Sequence, residues 1–136
     1  MQAVINSTVK VEDPLPSISR QYDLRDFVRN DEKTIHTDFE AAQREGLPGP
    51  VAIGPQVAAL VFRQLRQAFG PGWIEGGRCG LTFRRQIPVD AFCTAHGRVT
   101  GVEHHDGLVK VTCEVWVEDG EGERVIVGEA SAAVPQ

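Results

Sequence analysis

The chain has 136 residues, 41% of them hydrophobic and 24% charged, with a formal charge of −5 at pH 7. That length and composition fit one globular domain whose core holds without disulfides or metals. The negative charge argues against a dominant nucleic-acid surface, which needs clustered Lys and Arg.

The first residues, "MQAVINSTVKVEDPLP", have no basic start followed by an apolar run, so no secretion signal is expected. No apolar run is long enough to span a bilayer, and the cytoplasm is the expected location. Pro14 and Pro16 disfavour both helix and sheet interior, so residues 1–16 are predicted to form an extended arm ahead of one domain over 17–136. "SISRQYDL" then sets Ile18, Arg20, Tyr22 and Leu24 in alternation and predicts a first strand.

A short helix is predicted over about 38–45, with Thr37 and Glu40 as a capping box and Gly46 as the stop. "LPGPVAIG" is a loop. "GPQVAALVFRQLRQAFG" predicts a long helix with Gly54 as N-cap, Pro55 in the first turn and Gly70 as C-terminal cap. Its first turns are apolar on most sides, which marks a centrally buried helix. Phe62, Leu65 and Phe69 fall at helical spacing and are read as core.

From Arg78 onward the period is two. "RCGLTFRRQI" places Cys79, Leu81 and Phe83 on one face, and "AFCTAHGRVTGV" follows a turn containing Pro88. "GLVKVTCEVWVED" alternates from Val109 to Val117 on one face against Lys110, Thr112, Glu114, Trp116 and Glu118 on the other. "ERVIVGEASAAV" is the last strand, and "HHDG" and "EDGEGE" are hairpin connectors. The three cysteines, Cys79, Cys93 and Cys113, contain no CxxC pair and sit in strand segments, where they read as small buried hydrophobes in a reducing compartment. The pattern predicts an α+β domain: three or four antiparallel strands in a meander, wrapped around one buried helix.

Three stretches in this order, "DEKTIHTD" at 31–38, "GLPGPVAIG" at 46–54 and "LTFRRQIPVDAFCTAHGRVTGV" at 81–102, resemble the MaoC-type family of (R)-specific enoyl-coenzyme A hydratases and dehydratases, which has the hot-dog fold. The first is similar to the family's Asp-x-Asn-Pro-x-His-x-Asp signature, and the likeness runs from about residue 17 to the end. The resemblance implies Asp31 and His36 as an acid–base pair and the backbone N–H of Gly54 as oxyanion donor. Lys33 and Thr34 stand where the family usually has Asn-Pro, and Ile53 where it commonly has His. Ile53, Arg84 and Arg85 are candidate substrate contacts.

What the resemblance implies is hydration of a trans-2-enoyl thioester to the (R)-3-hydroxy product, or the reverse dehydration. The substrate would be carried on coenzyme A or a carrier protein, with no metal or redox cofactor. It also implies a dimer, or a higher oligomer built on dimers, joined sheet edge to sheet edge with an acyl tunnel near the interface, and no nucleic-acid or membrane partner. Two rivals stay open: a non-catalytic subunit paired with a second hot-dog chain, and a hot-dog acyl-coenzyme A thioesterase.

The residues alone leave other readings standing. Asp31 and His36 also fit a loop pair that bonds backbone and caps the next helix. Gly54 also fits a plain helix start beside Pro55. Arg84 and Arg85 equally fit coenzyme A phosphates or ordinary strand-edge charges. His104 and His105 read as a solvated hairpin, and His96 as a structural strand residue.

Overall fold

The computed structural model describes residues 3–30 and 32–136. Strand β1 (Ile18–Gln21) leads into a short 3-10 turn, Leu24–Phe27, then helices α1 (Phe39–Arg44), α2 (Gly54–Phe69) and α3 (Pro71–Gly76). Strands β2 (Arg78–Phe83), β3 (Phe92–His105), β4 (Leu108–Glu118) and β5 (Arg124–Pro135) follow. They form one antiparallel five-stranded sheet in the order β1-β3-β4-β5-β2. The meander is confined to β3, β4 and β5. β2 leaves it and pairs with β5 at the far edge, from Arg78↔Ser131 to Phe83↔Ile126.

Alternation decides which face of the sheet is dry. Val109, Val111, Cys113, Val115 and Val117 of β4 are fully buried, as are Cys93, Ala95 and Val99 of β3. They close on α2, whose Val57, Val61, Leu65, Ala68 and Phe69 are buried in turn. The sheet is thus wrapped around one central helix, as expected. Phe62 departs from expectation: it lies on the helix side away from the sheet, 43% exposed, and stacks on Trp73 at 6.4 Å. The α2 boundaries match the sequence reading, but Ile53 is the N-cap and Gly54 the first helical residue. Pro55 still falls in the first turn, where its missing N–H leaves nothing unpaired.

The segment ahead of β1 is tied along β3. Leu15 N donates to Gly97 O (3.0 Å), Glu12 N to Val99 O (2.8 Å), and Val99 N back to Asp13 O (2.8 Å). Val4 N and Ile5 N donate to Gln67 O and Ala68 O, satisfying carbonyls in the last turn of α2. Gln64, wholly buried in α2, donates from Nε2 to Pro16 O at 3.0 Å. Among the described residues no helix is long and apolar enough to cross a membrane.

The hairpins follow their turn residues. Asp106 and Gly107 both have positive φ (49° and 78°), as a two-residue turn between antiparallel strands requires. The Asp119 carboxylate accepts from Glu121 N and Glu123 N to close the next connection.

The outer face of the sheet carries a charge network. Glu114 accepts from Arg98 Nε (3.1 Å) and Arg124 Nη1 (2.9 Å), and Arg98 also bonds Glu12 (2.8 Å). Trp116 lies between the Arg124 guanidinium, 4.1 Å from the ring centroid, and the His96 ring at 5.8 Å. Partial burial acts to raise the Glu114 carboxyl, but the bonds from Arg124 and Arg98 outweigh it and hold the group below its ordinary 4.5. A carboxylate depressed in the fold contributes stability above its unfolded value, and that contribution is lost as pH falls through the folded value. Glu114→Gln is therefore expected to cost about 1 kcal/mol at pH 7, roughly 3–5 °C in Tm. Thermal melts across pH should show the gap to wild type closing below pH 4.5.

Candidate active site

The loop before α1 is built by threonine hydroxyls. Thr34 Oγ1 accepts from His36 N (3.1 Å), and Thr34 O accepts from Thr37 N (3.1 Å) and Asp38 N (2.9 Å). Thr37 Oγ1 accepts from Thr34 N and donates to Glu32 O, each at 3.2 Å. These bonds make a tight turn over Ile35–Thr37 without a proline. With the Thr37 hydroxyl so engaged, the helix cap falls one residue later than expected: Asp38 is the N-cap and accepts from Ala41 N at 2.9 Å.

His36 is fixed by the segment that starts the central helix. Its Nδ1 lies 2.8 Å from Val51 O. A carbonyl only accepts, so Nδ1 carries the proton, and a neutral imidazole keeps its lone pair on Nε2. The same segment is clamped on both sides. Val51 N donates to Ile35 O (3.0 Å), Ala52 N to Ile87 O (2.6 Å), and Val89 N to Pro50 O (3.3 Å). The histidine turn and the start of α2 therefore share one set of backbone bonds.

At that start, Ile53 O accepts from both Gln56 N and Val57 N. Pro55 has no N–H to offer. The Gly54 N–H finds no acceptor among the described residues and lies at the positive end of a 16-residue helix. Gln56 Nε2 bonds Asp26 O (3.0 Å), which holds the 3-10 turn against the same end of α2. A cleft of about 310 Å³ opens here, lined by Phe27, Arg29, Glu32, Thr34, His36, Thr37 and Ile53. His36 and Ile53 thus meet in one place, with Gly54 next in the chain. Asp31 lies outside the described residues.

The same architecture occurs in solved structures. An (R)-hydratase from A. caviae involved in PHA biosynthesis has a TM-score of 0.76 at 20% identity, over 95% of this chain and 99% of that one. A MaoC-like dehydratase from Rhodospirillum rubrum has a TM-score of 0.74 at 21% identity, over 95% and 94% of the two chains. The ChsH1-ChsH2 complex from Mycobacterium tuberculosis contributes a chain at TM-score 0.68 and 20% identity, over 92% and 98%. The chain has the hot-dog fold of the MaoC-like dehydratases. At these identities the likeness is one of fold. No family model and no curated protein matches the sequence.

In this MaoC-like fold the other candidate residues lie apart. Arg84 and Arg85 line a separate recess of about 420 Å³ with Glu123 and Arg124, and Arg85 pairs with Glu123 at 2.8 Å. His96 is bound on the outer face to Glu118 (2.8 Å), with Ser17 Oγ 3.4 Å from its Nδ1, and has no part in the cleft. His105 pairs with Asp106 at the hairpin tip. The cysteines are free thiols. Burial pushes Cys93 up to about 11 and Cys113 up to about 12, so both are protonated at neutral pH.

Sequence reasoning passed over Phe27, Arg29 and Glu32, which also line the cleft. Their signal is position alone: they run directly into the histidine motif, and the 3-10 turn that carries Phe27 leaves no periodicity to read.

Proposed function

We propose that the protein adds water across the 2,3-double bond of a trans-2-enoyl thioester, or removes it from the 3-hydroxy form. The observation that carries this reading is the His36 ring, held by Nδ1 on Val51 O in a cleft beside the α2 start. Hydration needs a base for the water proton, an acid for the α-carbon and a donor for the charge that develops on the thioester oxygen. His36 Nε2, with Asp31 as its acid–base partner, takes a proton from water as the oxygen bonds the β-carbon. The electron pair moves to the thioester oxygen, which the Gly54 N–H receives. The enolate then collapses and its α-carbon takes a proton from the acid–base pair, so water is added with no net change in the protein. The Thr34 hydroxyl holds the turn in which the family's proline usually stands.

The (R)-hydratase and MaoC-like dehydratase neighbours support this class of reaction, and the (R)-3-hydroxy product is the expected one. The reading includes a coenzyme A or carrier-protein thioester as substrate and a dimer joined along a free sheet edge. It also includes the cytoplasm as location, in keeping with three free thiols. Arg29, on the cleft, joins Arg84 and Arg85 as a candidate phosphate contact. A thioesterase is less well supported: α2, GPQVAALVFRQLRQAF, carries no carboxylate to act as a second acid. A non-catalytic subunit is favoured by Ile53, an apolar side chain in the cleft where the family commonly has His, and by the two-chain complex among the neighbours.

The test is crotonyl-coenzyme A with the purified chain, followed by loss of the conjugated thioester absorbance. Saturable hydration supports the reading. Release of free coenzyme A thiol points to the thioesterase, and activity only after addition of a second hot-dog chain points to the subunit.

A further inference from the structure

Phe83 is anomalous among inward-facing strand residues. It belongs to the face that packs on α2, and its cross-strand partner Ile126 is fully buried, yet Phe83 is 49% exposed. Its ring lies against the first residue of the central helix. A side chain on Gly54 would place its Cβ 3.0 Å from Phe83 Cε1 and 3.2 Å from Cδ1. One part of the ring therefore covers the α-carbon of Gly54 while the rest faces open space. Ile53 lines the His36 cleft from the preceding position. The Gly54 N–H thus lies between Ile53, which lines the His36 cleft, and an α-carbon covered by the ring.

We propose that Phe83 limits the length of the acyl group, so that this site takes short enoyl thioesters. The inference rests on the enoyl-thioester reading above. The cleft volume of about 310 Å³ stands at the lower end of small-molecule sites and equals roughly ten water volumes. A chain that runs along the helix start meets the ring, which occupies the ground that the absent Gly54 side chain leaves. Strand pairing holds the ring in place: Phe83 is the last residue of β2, and Arg84 N continues the ladder by donating to Val125 O at 2.8 Å.

The test compares kcat/KM for crotonyl-, octenoyl- and dodecenoyl-coenzyme A in wild type, Phe83→Leu and Phe83→Ala. Wild type is expected to favour crotonyl over dodecenoyl by more than about tenfold, and the ratio of long to short is expected to rise at least about tenfold in Phe83→Ala. Phe83→Leu should fall between them. The ratio is read because a loss of folded or active protein lowers all three rates together and leaves it unmoved. If Phe83→Ala does not fold, the rise in Phe83→Leu carries the test alone. A wild type that hydrates dodecenoyl as well as crotonyl overturns the proposal, and so does a ratio unchanged in the variants. Absence of hydration at every length in wild type instead sinks the enoyl-thioester reading itself, which a shifted or unshifted ratio leaves untouched.

Discussion

His36→Gln is expected to lower kcat for enoyl hydration by roughly 10²–10⁴, the usual contribution of a positioned acid–base group, with little change in the far-ultraviolet circular dichroism. The reason lies in what glutamine keeps and loses. Its amide N–H is able to donate to Val51 O as Nδ1 does at 2.8 Å, so the turn over Ile35–Thr37 stays closed and α2 keeps its starting point. It has no basic nitrogen in place of Nε2, so a water in the cleft loses the base that takes its proton. Asp31→Asn should lower kcat in the same way. If the two residues act on one water, the double variant will be little worse than either single one, because groups that work as a unit do not contribute additively. Steady-state rates with crotonyl-coenzyme A provide the measurement. Full activity in both single variants would remove His36 and Asp31 from the chemistry and leave the cleft a structural feature.

The sequence made the central helix and its surroundings legible for identifiable reasons. α2 runs from Gly54 to Phe69 because a Gly-Pro start and a Gly70 stop bracket an unbroken apolar pattern. β3, β4 and β5 are legible because period-two alternation reports burial on one face and Asp-Gly reports a tight turn. Neither signal says which strands are neighbours. β2 has the right faces, with Cys79, Leu81 and Phe83 inward, but its place beside β5 rather than β3 is set by the long loop across Pro88. Alternation is blind to such a choice. The ties along β3 at Glu12, Asp13 and Leu15 are backbone bonds and leave no residue pattern at all. Thr37 is not the cap its residue type predicts, because two threonines compete for the same turn, and a hydroxyl bonded to Glu32 O and Thr34 N is no longer available to a helix. In the site, the resemblance to the MaoC-type motif pointed to His36 and Gly54, while the residue types alone left both with a plain structural reading. The bond from Nδ1 to Val51 O, which decides the tautomer, spans 15 positions of chain and is visible only in the fold.

Two glycines, one at the edge of the sheet and one facing it, separate close packing from open space. Gly128 lies on β5 opposite Leu81, and a Cβ there would fall 2.0 Å from Gly80 O and 2.9 Å from Leu81 Cδ2. The obstacle is a backbone carbonyl of the paired strand, which no rotamer change relieves, so β2 has to move away from β5. Gly128→Ala is expected to cost more than about 3 kcal/mol, beyond the usual penalty for one extra methyl in a core. Gly80, on β2 itself, has nothing within 4 Å of an added Cβ, and Gly80→Ala should stay within about 0.5 kcal/mol of wild type. Denaturant unfolding of the two variants gives the comparison, and equal midpoints would contradict the β2–β5 register. The consequence reaches the site. Strand β2 carries Phe83 at its end, so a displaced β2 withdraws the ring from Gly54. Gly128→Ala protein that still folds should therefore accept longer acyl chains relative to crotonyl than wild type does, although residue 128 lies on another strand and lines no part of the cleft.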